Sequence, residues 1–192
     1  IQSGALVQNA SVEGQGDGNY GSGSNTIEFR SGNTLTIEQG ATVASTGTQI
    51  RGEAINPQGG GNTIINNGTI SSVNAAAIWF QMADSPNTVI NNETGLIETA
   101  PPSGNVLGSP GDGVGSIDFT NRGRVIGNIY FWGGNDTLHA YTGSVISGAI
   151  QGGGSNNLLT LNGSGSDTAP GNITGFQTLL KQDDGTWTVA TP

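Results

Sequence analysis

The groups that could do chemistry in this chain are few. Asp112, Asp118 and Asp136 fall in neighbouring segments, and Arg122 and Arg124 flank Gly123 at a turn. Two carboxylates and a cation could cleave a polysaccharide by acid–base chemistry, but only if the base lies within hydrogen-bonding reach of its proton. Nothing in the spacing brings these groups together, so they read as solvated surface acids. Lys181 is the only lysine, and Arg30 and Arg51 are scattered. His139, the only histidine, sits between Leu138 and Ala140. If those two point inward, His139 is exposed and outside any triad. Gly134-Asn135-Asp136-Thr137-Leu138 matches the second half of a glycine-rich calcium repeat, but Phe131-Trp132-Gly133 replaces the first half. Such sites need successive copies about nine residues apart, so Asn and Asp read here as turn residues. The sequence predicts no catalytic residue, no metal site and no cofactor.

The elements that would position any site come from a repeat. A phrase Asn-Thr-(apolar)-…-Gly-x-(Val/Ile) recurs about every 20 to 28 residues, from about residue 33 to residue 146. That period suits one coil of a stacked solenoid, whose apolar faces are buried only against neighbouring coils. Three columns follow. The glycines Gly40, Gly68, Gly95, Gly123 and Gly143 precede Val43, Ile70, Ile97, Val125 and Val145, which form one core column. Ile55, Ile78, Val106, Ile129 and Ile150 form a second. A third places Leu35 over Leu138 and Ile37 over Ala140, while Ile64-Ile65 and Val89-Ile90 fit either register. Alternation is period two and rich in Ile, Val and Thr, so the segments are strands. The 34 glycines, with Asn67-Gly68 and Asn162-Gly163, supply turns because Gly and Asn reach positive φ cheaply. The expected fold is all-β, a right-handed parallel β-helix of roughly six to seven coils with a C-terminal cap. An open β-sandwich explains the in-register columns poorly.

Composition agrees with one elongated core: 192 residues, 33% of them hydrophobic, with no shift that marks a second globular unit. The absence of cysteine removes disulfides and thiolate metal sites. A net charge of −9, from 14 acidic and five basic residues, argues against nucleic acid and anionic membrane as partners. No apolar run approaches the roughly 18 residues of a transmembrane helix. With no secretory signal ahead of Ile1, a mature or truncated chain is expected.

The C-terminal stretch carries a resemblance. Residues Asn156 to Gly165, then Ile173-Thr174-Gly175-Phe176-Gln177-Thr178-Leu179-Leu180-Lys181 and Asp184-Gly185-Thr186-Trp187-Thr188-Val189, resemble the end of passenger domains of Gram-negative autotransporters. Asn66-Asn67-Gly68-Thr69-Ile70 is similar in style. Leu179-Leu180-Lys181 departs from the family phrase by an extra apolar residue, and Pro192 precedes most of an autochaperone region and any membrane β-barrel. The resemblance implies a fragment of a type V secreted passenger, displayed on the bacterial cell surface or released, and not itself embedded in the membrane. Residues 1–155 would be the β-helix segment and 156–192 its last coil and cap, in one continuous domain. On physical grounds Phe176, Leu179, Trp187 and Val189 can cover the open end of the solenoid.

One surface feature follows from the second column. Residues after its members point outward: Asn56, Trp79, Leu107, Tyr130 and Gln151. Trp79, Leu107 and Tyr130 make an exposed stripe, beyond which lie Phe80, Gly108, Phe131, Gly152 and then Trp132. An apolar patch rimmed by polar coils marks a contact surface for a surface protein of host or bacterium, a glycan, or a second copy. The competing structural reading stacks these aromatics on one another or beneath residues 98 to 114. The expected function is non-enzymatic: adhesion, self-association or a display stalk. The alternative is a polysaccharide-active β-helix enzyme, lyase or hydrolase, built around Asp112, Asp118 and Arg122.

Overall fold

The computed structural model describes residues 1–10, 25–47, 52–81, 86–101, 104–109, 115–154 and 156–189. Among them every regular element is a short strand, and every pairing is parallel. The first sheet contains Leu6–Asn9, Thr42–Ser45, Thr69–Ser72, Leu96–Thr99, Arg124–Ile126 and Val145–Ile146. Ile27–Phe29, Ile55–Pro57, Ile78–Trp79, Asn105–Gly108, Asn128–Tyr130, Ile150–Gln151 and Ile173–Thr174 form the second. The third comprises Thr34–Ile37, Thr63–Asn66, Asn87–Asn91, Ile117–Asn121, Thr137–Tyr141, Leu158–Asn162 and Thr178–Lys181. The chain visits the sheets in turn and each strand pairs with its counterpart one coil away, which makes a parallel β-helix. The second and third sheets have seven strands each. In chain order a two-stranded pair, Ser166–Thr168 with Thr186–Thr188, takes the place of the first sheet in the last coils.

The columns are buried as the repeat predicts, with two corrections. Val43, Ile70, Ile97 and Val125 stand in register and are at most 1% exposed. The next member is Ile146, which pairs with Val125, whereas Val145 pairs with Arg124 and is 41% exposed. The reason is local. Gly143 adopts φ +83° in a turn closed by Ser144 N–H donating to the Tyr141 carbonyl at 3.0 Å, which inserts one residue before the strand. Gly68, Gly95 and Gly123 are not in the left-handed region. A Cβ on Gly68 would lie 2.3 Å from the Ala41 carbonyl oxygen, so the corner needs glycine for close approach rather than for φ.

In the second sheet Ile27, Ile55, Ile78, Leu107, Ile129, Ile150 and Ile173 stand in one register column. Leu107 holds the place expected for Val106, because the pairing shifts by one residue between Asn105 and Leu107. Both side chains are buried. A bulge of this kind sends two residues against one and re-aims the side chains beyond it.

The third sheet settles its own ambiguity: Ile64 and Val89 point inward and are fully buried, while Ile65 and Ile90 are half-buried on the outer side. Two of its strands are bracketed by buried amides. Asn62-Thr-Ile-Ile-Asn66 and Asn87-Thr-Val-Ile-Asn91 place both asparagines inward at the two corners, and Asn121 continues the second row. Asn66 Nδ2 donates to Asn91 Oδ1 at 2.8 Å, and Asn91 Nδ2 donates to Asn121 Oδ1 at 2.8 Å. Spare amide hydrogens reach corner carbonyls: Asn66 to Leu96, Asn91 to Gly95 and Arg124, and Asn121 to Val145. At the opposite corner most backbone N–H groups meet a side-chain oxygen one coil on, while Asn87 N–H donates to the Ser116 carbonyl at 3.0 Å. Asn33 donates to Asn62 Oδ1, Asn62 to Asn87 Oδ1, Asp136 to Asn157 Oδ1 and Asn157 to Gln177 Oε1. Corners leave backbone groups that no sheet partner satisfies, and amides supply the missing partners without a charge.

Candidate functional site

The second sheet carries the aromatic groups. Ile78, Phe80, Ile129 and Phe131 alternate inward and are fully buried, so Trp79 and Tyr130 face out. Leu107 does not join them: it is 1% exposed, and the bulge puts Gly108 on the outer row instead. Asn56, also expected to face solvent, is 2% exposed and donates from Nδ2 to the Trp79 carbonyl at 3.2 Å. Gln151 is exposed beside Tyr130.

Gly108 is the partner of Trp79 in register, and a Cβ there would lie 2.8 Å from Trp79 Cζ3. The Cε3–Cζ3 edge of the indole therefore meets the neighbouring strand at the one residue type that leaves room for it. Its Nε1 donates to Gln81 Oε1 at 3.1 Å.

Trp132 is the least expected of the group. It is 50% exposed and has φ +66°, a region that bulky residues rarely enter. Gly133 N–H donates to the Phe131 carbonyl at 3.1 Å across it, the hydrogen bond of a γ-turn in its rarer, positive-φ form. The next coil locks this turn: Gly154 N–H donates to the Trp132 carbonyl at 2.7 Å. A Cβ on Gly153 would lie 2.0 Å from that carbonyl oxygen, so the approach requires glycine. Tyr130 and Trp132 present their rings side by side, with centroids 5.9 Å apart and planes at 30°. Trp79 and Tyr130 thus stand two coils apart on the outer face of the sheet, and Trp132 lies beside Tyr130 on the same coil.

No family model, curated protein or solved structure matches the chain.

The remaining candidates sort by geometry. At the C-terminal end Phe176 packs edge-on against Phe131, with centroids 5.9 Å apart, and Trp187 is half-buried against the core. Leu179 extends the core row of Leu138 and Leu159 by one coil, stacking over Leu159, which is 5% exposed, and as the terminal member is itself 54% exposed. Val189 is 59% exposed.

On the outer face of the third sheet Thr120, His139 and Thr160 stand in one register row. His139 is half-buried rather than exposed, because it is bracketed. Its Nε2 lies 3.2 Å from Asp118 Oδ1 and its Nδ1 lies 2.7 Å from Thr160 Oγ1. The order hydroxyl, imidazole, carboxylate has the outline of a nucleophilic triad, which sequence spacing could not reveal since the members come from three coils. The hydroxyl is out of reach, however: Thr160 is 1% exposed and also accepts from Asn162 Nδ2 at 2.6 Å. Arg122 does not join Asp118 as a catalytic cation but stacks its guanidinium over the Tyr141 ring at 4.1 Å. Asp112 lies outside the described residues.

Asp136 points inward rather than standing as a solvated turn residue. It replaces an amide in the corner ladder, fully buried, with Oδ1 accepting the Ile117 N–H at 2.8 Å and Oδ2 without a partner. Burial pushes its pKa up to about 7, against the lowering effect of the Ile117 hydrogen bond.

Proposed function

We propose that the chain is a non-enzymatic surface module, a fragment of an autotransporter-type passenger that is exported to the bacterial surface and acts in adhesion or self-association. Its second role, as a stalk, follows from the same stacking. The observation that carries this reading is Trp132, an exposed indole at a strained backbone angle that the neighbouring coil holds in place. Strain of this sort costs on the order of 1–3 kcal/mol and persists where the surroundings over-determine it, most often at binding sites. The corner ladders and core columns account for the other coils by stacking alone. The tail that resembles passenger ends supports the export route, since its segments pair as further coils of the same solenoid.

The test is to display the chain on cells and replace Trp79 and Tyr130 with serine. Aggregation and adhesion to surfaces should fall about tenfold at equal display, since aromatic anchors dominate small interfaces. Unchanged values reject the reading. The polysaccharide-enzyme alternative draws on one observation, the Asp118–His139 pair on an open sheet face. It requires new reducing ends in a glycan digest, lost on His139→Gln.

A further inference from the structure

We infer that Trp79, Tyr130 and Trp132 form a binding site for a neutral, linear polysaccharide laid along the solenoid axis. This rests on the adhesive reading above and names its partner.

The small area of the three rings favours a small ligand over a protein or a second copy held by these rings alone. A fully buried aromatic side chain covers roughly 150–250 Å². Trp132 is half exposed, and Tyr130 and Trp79 less so. Together they offer on the order of 300 Å², against about 800 Å² per partner in a stable protein interface. A few sugar rings need no more than this.

Chemistry decides for a sugar. The C–H face of a pyranose carries weak positive charge and packs on the negative face of an aromatic ring, while its hydroxyls need neutral donors and acceptors at the rim. Gln81 receives the Trp79 Nε1 hydrogen on Oε1, so its amide nitrogen is directed away as a donor, and Gln151 stands exposed beside Tyr130. Thr174 continues the row beyond Gln151. Among the described residues no charged side chain belongs to this set, and a net charge of −9 disfavours an acidic polysaccharide.

Geometry decides for a linear chain. The backbones of Trp79 and Tyr130 are two coils apart with Gly108 between them, about 10 Å at the usual strand spacing. Trp132 lies beside Tyr130 on the same coil and widens the surface across the axis. Trp79 and Tyr130 therefore meet separate sugars of one strand, with Trp132 flanking the second, rather than a single branched end group. Gly108 and Gly153 keep the floor low enough for the rings to lie as they do.

The experiment is affinity electrophoresis of the purified chain in native gels containing galactomannan, xyloglucan or hydroxyethylcellulose, with polygalacturonate as the acidic probe. At least one neutral polysaccharide should retard the protein, and polygalacturonate should not. Trp132→Gly should weaken retardation at least tenfold while leaving the thermal midpoint unchanged or higher, because glycine accepts φ +66° without strain. Tyr130→Leu, which keeps the strand apolar, should weaken it as well. Retardation by polygalacturonate alone, none by any neutral probe, or full binding by Trp132→Gly would each overturn the proposal. So would a concentration-dependent dimer abolished by Trp132→Gly. If Trp79→Ser with Tyr130→Ser abolishes cell adhesion while no neutral polysaccharide retards the protein, the glycan is wrong and the adhesive reading stands. If both fail, neither survives.

Discussion

Asn91→Ala should lower the unfolding free energy by roughly 3–5 kcal/mol, the largest loss expected from any single polar side chain in this protein. Asn91 is fully buried at the centre of the corner ladder. Its oxygen accepts from Asn66 and its nitrogen donates to Asn121 Oδ1 and to the Gly95 and Arg124 carbonyls. Removal deprives Asn121 Oδ1 of its ladder donor and opens a void that no rotamer of a small residue fills. Because a solenoid is held by nearest-neighbour interfaces, weakening the central one should also broaden the urea transition as the two halves lose coupling. Asn92 gives the control. Its Nδ2 donates to Asn67 Oδ1 at 2.8 Å in a half-buried setting, so Asn92→Ala should cost under about 1 kcal/mol. Equal losses for the two variants would mean that the buried ladder does not hold the coils.

Asp136→Asn should stabilise the protein at pH 8 by on the order of 4 kcal/mol and have little effect at pH 4. The sign follows from the proton. In the unfolded chain this carboxyl titrates near 3.8, and in the folded chain near 7. Below about pH 4 it is neutral in both states and costs nothing. Between those values the folded state binds more protons, so stability falls as pH rises; above about 7 both states are ionised and the loss is constant. An amide at this corner removes the charge, and its nitrogen can donate to the turn as Asn62 Nδ2 does to the Gly59 carbonyl at 2.7 Å. The measurement is the difference in unfolding free energy between wild type and variant from pH 4 to 8, which cancels the other carboxylates. A difference that stays flat across that range contradicts a buried, unpaired Asp136.

Much of this architecture is legible in the residue order because a solenoid repeats its solution. The glycine corners place Ile70, Ile97 and Val125 two residues on, and Val43 three residues after the positive-φ Gly40. The column fails at Val145, because the Gly143 corner is of the Gly40 kind and its inward residue is the third one on, Ile146. Leu107 was hidden for a different reason: a bulge changes which of two adjacent apolar residues faces in, and Val106-Leu107 satisfies both registers. The asparagine ladder could have been found. Asn66, Asn91 and Asn121 recur at the end of the same strand as the apolar column, and polar residues held at inward positions signal a hydrogen-bonded row. The row at the opposite corner, Asn62, Asn87 and Asn157, holds Asp136 as the one acid in an amide's place. The aromatic site is legible in part. Trp79 and Tyr130 follow from alternation, whereas the strained turn at Trp132 depends on Gly153 and Gly154 one coil away, a contact that no local pattern encodes.

The measurement that bears most directly on the adhesive surface uses beads coated at equal density with wild type or Trp132→Gly protein, mixed with bacterial or host cells and, separately, with one another. Wild-type beads should adhere to cells, and Trp132→Gly beads should lose at least about nine-tenths of that adhesion, since one anchoring aromatic contributes 2 kcal/mol or more to such contacts. Equal adhesion by the two kinds of bead, with the variant folded, would contradict the claim that this exposed and strained indole is the contact the solenoid displays.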